Sequence, residues 1–198
     1  NESSGKQGYE IAEALSRLGI KTTLITGPTN LVSNKDIKTK KIITATEMFE
    51  TVKKSLPVDI AVCAAAVTDF KPVYKSKTKL KKDKLRLKSF EFQKNIDIVE
   101  FLSKNNKHRP KIVIGFAAET ENLDKNALSK LKQKNCDMII ANDVSKKDSG
   151  FNSDYNRVSI IDNSGKIKVV KKNKKSFIAN IIAEIILDKI LINDRSFN

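Results

Sequence analysis

The chain has no tryptophan, a single histidine and two cysteines among 198 residues. Each scarcity removes a class of function. With aromatics at only 6% and no tryptophan, the chain has few of the flat side chains on which unpaired bases stack. His108 stands in the polar run Lys107-His108-Arg109-Pro110 and makes a poor general base. Cys63 and Cys136 lie far apart, each inside an apolar run, with no Cys-x-x-Cys and no Cys/His cluster. They read as buried thiols of a reducing compartment rather than as a disulfide or a metal site. No Ser/His/Asp or Cys/His set offers a nucleophile, and no cluster of carboxylates would hold a metal unaided. No signal peptide stands out, and the last apolar stretch is interrupted by Glu184, Asp188 and Lys189, which punctuates it too often to cross a bilayer. The expected location is the cytoplasm, with no membrane partner.

Hydrophobic residues make up 39% of the chain and charged residues 31%, the composition of a soluble globular protein. Its length suits one domain, residues 1–198, with a core of its own. The net charge of +15 arises from 38 Lys and Arg against 23 acids. Such an excess invites a nucleic-acid partner. The lysines, however, are scattered through every segment, so most of the excess reads as a solubility bias and the rest as attraction for anionic small molecules. A basic nucleotide- or nucleic-acid-binding module without catalysis is the rival reading.

Hydrophobic periodicity orders the chain into alternating helices and strands. Ile11, Leu15 and Leu18 recur at helical spacing and Gly19 closes that helix. Thr22 to Thr26 reads as a short buried strand, Ile42-Ile43 as a second, and Thr44-x-x-Glu47 as a capping box opening a helix with Phe49, Val52 and Leu56 on one face. Ile60 to Ala64 is apolar throughout, as a central parallel strand should be. Residues 71–88 change character: lysine-rich and poor in apolar residues, they resemble a flap, with Leu85, Leu87 and Phe90 suggesting a returning strand. Asn95 is placed to cap a helix from Ile96 to about Lys104. Lys111 to Ala117 and Met138 to Ala141 read as strands around a helix from Leu123 to Lys134. Arg157 to Ile161 and Lys166 to Val170 form a hairpin about Asn163-Ser164-Gly165, and Phe177 to Leu191 is an apolar terminal helix. The expected fold is a three-layer, Rossmann-like α/β domain with a mainly parallel sheet, a lysine-rich flap and a C-terminal β-hairpin plus helix. A doubly wound sheet normally begins with a strand feeding its first helix. Here the helix comes first, so the first strand is expected to be missing from the chain.

Several stretches carry chemistry. Asn1-Glu2-Ser3-Ser4-Gly5-Lys6-Gln7-Gly8 places small polar residues before a helix whose first N–H groups suit an anion. It is not a P-loop, because Gln7 follows Lys6 and no glycine stands at the required place upstream. A plain capped helix is the competing reading. The run Ala61 to Phe70 leaves a strand at its carboxyl end, where open α/β sheets bind ligands; its alanines permit close approach and Asp69 can accept from a base or ribose. Lys94-Asn95-Ile96-Asp97-Ile98-Val99 sets a lysine and a cap before uncommitted amides, a phosphate-type site if not simply a helix start. Lys79-Leu80-Lys81-Lys82 lies in the flap and is either solvated or poised over an anion. Lys130 and Lys134, spaced i, i+4, repel each other unless an anion is shared. Gly115-Phe116-Ala117-Ala118-Glu119-Thr120 ends a strand with a ring that can face a base or pack in the core.

Taken together and in order, these stretches resemble the phosphopantothenoylcysteine synthetase domain of bacterial coenzyme A biosynthesis. The matching pieces are Asn1-x-Ser3-Ser4-Gly5-Lys6-x-Gly8, Ala64-Ala65-Ala66-Val67-x-Asp69, Lys79-Leu80-Lys81-Lys82, Lys94-Asn95-x-Asp97-Ile98 and Gly115 to Thr120. Ala141-Asn142-Asp143 and Phe151-Asn152-Ser153-Asp154-x-Asn156 follow them. The resemblance implies a ligase that activates the carboxylate of phosphopantothenate with CTP, releases pyrophosphate, and passes the acyl-cytidylate to cysteine with loss of CMP. It implies that Asn1 binds the intermediate and that Lys79 contacts nucleotide and intermediate from the flap. By the same resemblance, Cys63, Ala64, Ala65 and Asp69 line the nucleotide pocket, and the amides of Ile96, Asp97, Ile98 and Val99 hold phosphates. Phe116, Lys130 and Lys134 complete the CTP site. Magnesium is expected on the triphosphate with no protein metal site, a homodimer is expected, and FMN only with a separate decarboxylase domain upstream or in another chain. Ile96 stands where such domains often carry proline. The family's first strand and glycine-containing loop are not seen ahead of the first helix. The pocket residues alone do not separate CTP from ATP.

Overall fold

The computed structural model describes residues 3–74, 91–104, 107–145 and 153–195. Asn1, and residues 75–90 with Lys79 and the expected returning strand, lie outside them. In chain order the elements are α1 (Lys6–Arg17), β1 (Thr23–Thr26), β2 (Lys38–Lys41), α2 (Ala45–Lys53), β3 (Ile60–Cys63), β4 (Phe70–Pro72) and β5 (Phe92–Lys94). They continue with α3 (Ile98–Lys104), β6 (Ile112–Glu119), α4 (Leu123–Lys134), β7 (Met138–Asp143), β8 (Tyr155–Asp162), β9 (Ile167–Lys174) and α5 (Lys175–Arg195).

The main sheet has the order β3-β6-β7-β8-β9. Strands β3, β6 and β7 run parallel, and the β8–β9 hairpin adds to β7 antiparallel. One face carries α1 and α5. Ile178, Ala179, Ile182, Ala183 and Ile186 form the inward stripe of α5 and pack with Ile11, Ala14 and Leu15 of α1 over Ile114, Ile140 and Ile160. The other face carries α3 and α4 through Val99, Leu102, Ala127 and Leu131, with Val52 of α2 packed against them. Phe49 of α2 meets Phe101 of α3 edge to face, ring centroids 4.9 Å apart. This is the expected three-layer α/β arrangement.

Three local expectations need correction. The apolar run at Ile60 suggests the centre of the sheet, yet among the described residues β3 is its edge strand and pairs only with β6. An apolar run reports burial of side chains, not the number of neighbouring strands. Strand β2 occupies Lys38–Lys41, ahead of the expected Ile42-Ile43, and Ile43 is 78% exposed. A two-stranded ribbon with β1 does not need apolar side chains; Lys40 lays its stem along the protein and donates to Ser55 Oγ at 2.9 Å. Helix α3 begins at Ile98, later than expected, for the reason given below.

Other signals read correctly. Thr44 Oγ1 accepts from the Glu47 N–H at 3.1 Å, while Glu47 Oε2 accepts from the Ile43 N–H at 2.8 Å, a reciprocal box reaching one residue further out than usual. In the β8–β9 turn Gly165 takes φ +81°, and Asp162 Oδ1 accepts from Ser164 N–H, Ser164 Oγ and Lys166 N–H. Burial alone would raise the Asp162 pKa, but these donors, with Lys189 nearby, hold it below the usual aspartate range.

Candidate functional site

The carboxyl ends of β3, β6 and β7 gather the motif residues. Cys63 pairs with Gly115 at the end of the β3–β6 ladder, so Ala64 and Phe116 follow side by side. Side chains alternate along a strand. Val62 and Phe116 pack on the α1–α5 face, as does Ile140, so Ala64 and Asn142 project to that face as well. The first turn of α1 comes down onto it: a Cβ at Gly8 would lie 3.8 Å from Ala64 Cβ. Thus the first turn of α1 and the start of the alanine run, 56 positions apart by residue number at Gly8 and Ala64, come into contact.

That helix start is not side-chain capped. The capping position is Gly5, in left-handed geometry at φ +73°, with no side-chain hydrogen bond closing the helix. Ser3 Oγ and Ser4 Oγ accept from the Gly5 and Lys6 N–H groups at 3.4 Å each, long contacts, and Thr29 Oγ1 donates to the Ser4 carbonyl at 3.3 Å. Glycine thus fills the cap position, its carbonyl accepting from the Gly8 and Tyr9 N–H groups at 3.0 and 3.2 Å. A glycine with no Cβ, followed by helix amides, leaves room for an anion.

The Ala64–Asp69 loop is exposed from Ala65 onward. Asn95 holds it: its N–H donates to the Asp69 carbonyl at 2.8 Å and its Nδ2 to the Thr68 carbonyl at 2.8 Å. Asn95 is thus not the helix cap. Asp97 is, its Oδ1 accepting the Glu100 N–H at 3.0 Å, which is why α3 starts at Ile98. Burial alone would raise the Asp97 pKa; the Glu100 amide and Lys134 overcome it and hold the carboxylate below its usual range. The amides read from sequence as uncommitted, from Ile96 to Val99, therefore neighbour a carboxylate that already occupies the helix start.

Lys130 and Lys134 each have a carboxylate partner within the chain. Lys130 pairs with Glu119 at 2.7 Å and Lys134 with Asp97 at 2.9 Å. The i, i+4 repulsion is relieved by two separate carboxylates, one at the end of β6 and one before α3. Gly115 explains the approach of α3: a Cβ there would meet Ile139 Cδ1 at 2.8 Å and Val99 Cγ1 at 3.4 Å. The thiol of Cys63 is pushed up to about 12, by burial first and then by Asp97, so it stays protonated and is no nucleophile. Among the described residues no group of three or more His, Cys, Asp or Glu is placed to hold a metal, and no helix is long and apolar enough to cross a membrane.

Sequence reasoning assigned no role to Gln7, Asn142, Asp154 and Asn156, although their motifs are among those quoted above. They meet beneath the start of α1. Lys6 Nζ bonds Asp154 Oδ1 at 2.7 Å, Asn156 Nδ2 donates to Asn142 Oδ1 at 3.0 Å, and Gln7 Nε2 donates to the Lys175 carbonyl at 3.2 Å. Lys175 is 3% exposed, and burial lowers its pKa. An open cavity of about 170 Å³ beside Lys6, Asp154 and Lys175 is smaller than the roughly 300–1,000 Å³ of small-molecule pockets.

Comparison with known proteins gives the family. Residues 1–190 match the family model described as the DNA/pantothenate metabolism flavoprotein C-terminal domain. The coenzyme A biosynthesis bifunctional protein CoaBC of Haemophilus influenzae is 39% identical over 189 residues, covering 94% of this chain and 46% of that protein. Its counterpart from Borreliella burgdorferi is 40% identical over 188 residues, covering 94% and 47%. The crystal structure of the C-terminal domain of a CoaBC protein superposes with a TM-score of 0.77 at 31% identity, covering 97% of this chain and 85% of that one. The chain spans about half the length of the curated relatives it matches. It belongs to the DNA/pantothenate metabolism flavoprotein C-terminal domain family.

Proposed function

We propose that this chain is the synthetase part of a coenzyme A biosynthesis enzyme, joining phosphopantothenate to cysteine at the expense of CTP. In the first step a carboxylate oxygen of phosphopantothenate attacks the α-phosphorus of CTP; the bond to the β-phosphate breaks and pyrophosphate leaves. In the second step the cysteine amine attacks the acyl carbon, the bond to the cytidylate oxygen breaks, the amine gives up its proton, and CMP leaves with the amide formed. Neither step needs a protein nucleophile, which suits a site whose neighbouring Cys63 is held as a thiol. Positioning and charge stabilisation supply the acceleration.

One observation carries this reading: the glycine-started first turn of α1 rests against Ala64, where the alanine run begins at the carboxyl end of the sheet. On this reading, by resemblance to the family, Asn1 binds the acyl-cytidylate and Lys79 contacts nucleotide and intermediate; β4 and β5, which flank the Lys79 segment in sequence, pair antiparallel. Ala64, Ala65 and Asp69 line the nucleotide with Cys63 and Phe116, and Lys130 and Lys134 stand beside it with their carboxylate partners. Ile96, Asp97, Ile98 and Val99 border the phosphates through a helix start that Asp97 itself caps. Magnesium belongs on the triphosphate, which supplies its own oxygens. A cytoplasmic location goes with these substrates. FMN belongs to a decarboxylase domain, in keeping with the bifunctional name of the relatives. A homodimer fits the apolar residues on the hairpin, Val169 being 62% exposed and Tyr155 41%. The test is product analysis: the full-length protein given phosphopantothenate, cysteine and CTP yields phosphopantothenoylcysteine and CMP in equal amounts. Absence of the amide product overturns the assignment.

A further inference from the structure

Asn156 is 1% exposed, an uncharged polar side chain in the interior, and its surroundings fix which way its amide points. Its Oδ1 accepts the N–H of Arg157 at 3.0 Å. A backbone N–H can only donate, so Nδ2 must face the other way. There it donates to Asn142 Oδ1 at 3.0 Å and reaches Gln7 Oε1 at 3.5 Å. Gln7 is fixed independently, because its Nε2 donates to the carbonyl of Lys175, a group that can only accept. Two backbone groups of opposite kind thus set the polarity of three side-chain amides. The chain reads Lys175 carbonyl, Gln7, Asn156, Asn142, and it joins the start of α5, the first turn of α1, β8 and the end of β7.

The strand geometry serves the same end. The β8–β9 ladder shifts register here, the extra residue falling on β9 between Val170 and Asn173 opposite Asn156 to Val158, so the spacing along β8 itself stays regular. Asn142 lies opposite Val158 in the regular β7–β8 ladder, so Asn156, two residues along β8 on the same face, reaches it as a diagonal neighbour. With Oδ1 accepting from Asn156, the Asn142 amide has its Nδ2 donor on its other side.

We infer that Asn156 is a positioning residue, which holds Asn142 with its amide donor turned to the reactants and ties Gln7, and so the first turn of α1, to the same frame. The inference rests on the ligase reading above. Loss of Asn156 frees the Asn142 amide to invert, offering an oxygen to acceptors on the substrate, and loosens the turn that meets Ala64. A displacement of ~1 Å at such a point costs up to about a hundredfold in rate.

The experiment is a double-mutant cycle on turnover in the full-length enzyme, with Asn142→Ala, Asn156→Leu and the combination, each scaled to folded protein by circular dichroism melting. Asn156→Leu is expected to lower kcat about tenfold or more while the apparent CTP constant moves less than about threefold. In the Asn142→Ala background the same substitution is expected to cost less than about threefold further. Gln7→Met, on the partly exposed first turn of α1, repeats the cycle with Asn156→Leu and is expected to be equally non-additive. Equal losses from Asn156→Leu in both backgrounds, or an Asn142→Ala enzyme as active as the unmodified one, overturn the positioning role while leaving the ligase reading intact. An unmodified enzyme that forms no product strikes the ligase reading itself.

Discussion

Asp97 and Lys134 meet at 2.9 Å, and the same carboxylate caps α3 by accepting the Glu100 N–H at 3.0 Å. One side chain therefore joins α3, α4 and the loop that follows β5. Replacement of Asp97 by alanine removes the cap and is expected to cost about 1 kcal/mol, within the roughly 0.5–2 kcal/mol of such losses. The Asp97→Asn change keeps an oxygen for the Glu100 amide but removes the charge that pairs with Lys134. The folded-state pKa of Asp97 is lowered, so its charge contributes stability above the unfolded-state pKa, and that contribution fades as pH falls through the folded value. Urea titrations should show Asp97→Asn less stable than the unmodified chain at neutral pH, with the gap closing on acidification. A gap that is constant with pH would remove the charge from the account.

Lys79 and the α4 lysines are expected to act on different kinetic parameters. A cation brought over the reactants matters most as charge develops, so Lys79→Gln should lower kcat more than it raises the apparent CTP constant. Lys130→Ala and Lys134→Ala should mainly raise that constant, because each also releases a carboxylate, Glu119 or Asp97, at the edge of the proposed nucleotide site. Steady-state kinetics on the three variants checks this. Equal effects on both parameters at all three positions would dissolve the distinction.

The open edge of β3 carries a third expectation. Its four residues are apolar and half-buried, yet they pair on one side only among the described residues, while β1 and β2 stand apart as a ribbon. Parallel strands are ordinarily covered on both sides, and an uncovered edge invites aggregation. We expect a further parallel strand beside β3 in the full-length protein. Hydrogen exchange at the Ile60–Cys63 amides should then be slower there than in the 198-residue chain, by about tenfold or more. Equal exchange in both would leave β3 a true edge.

What could be read from sequence depended on whether the determining contact was local. Helix α4 was legible to its ends, Leu123–Lys134, because its pattern and its flanking residues act within one segment. The Thr44–Glu47 box and the Gly165 turn were legible for the same reason. Asn95 and Asp97 are both able to cap a helix; only the approach of Thr68 and Lys134 decides between them. Strand β2 escaped because Lys38–Lys41 has no apolar period to betray it. The pairing of Lys130 with Glu119 and the amide chain through Gln7, Asn156 and Asn142 are products of the tertiary fold, and no spacing rule announces them. The ordered set of motifs did point to the carboxyl end of the sheet, where Gly8 and Ala64 prove to be neighbours.

The most direct test of the account follows pyrophosphate release from CTP in the full-length protein as substrates are added one at a time. Activation of the carboxylate precedes amide formation, so release should require phosphopantothenate and proceed at least once per site without cysteine. Addition of cysteine should then convert the accumulated acyl-cytidylate to amide and CMP. Release that needs cysteine from the start, or that occurs with CTP alone, would contradict the two-step ligase.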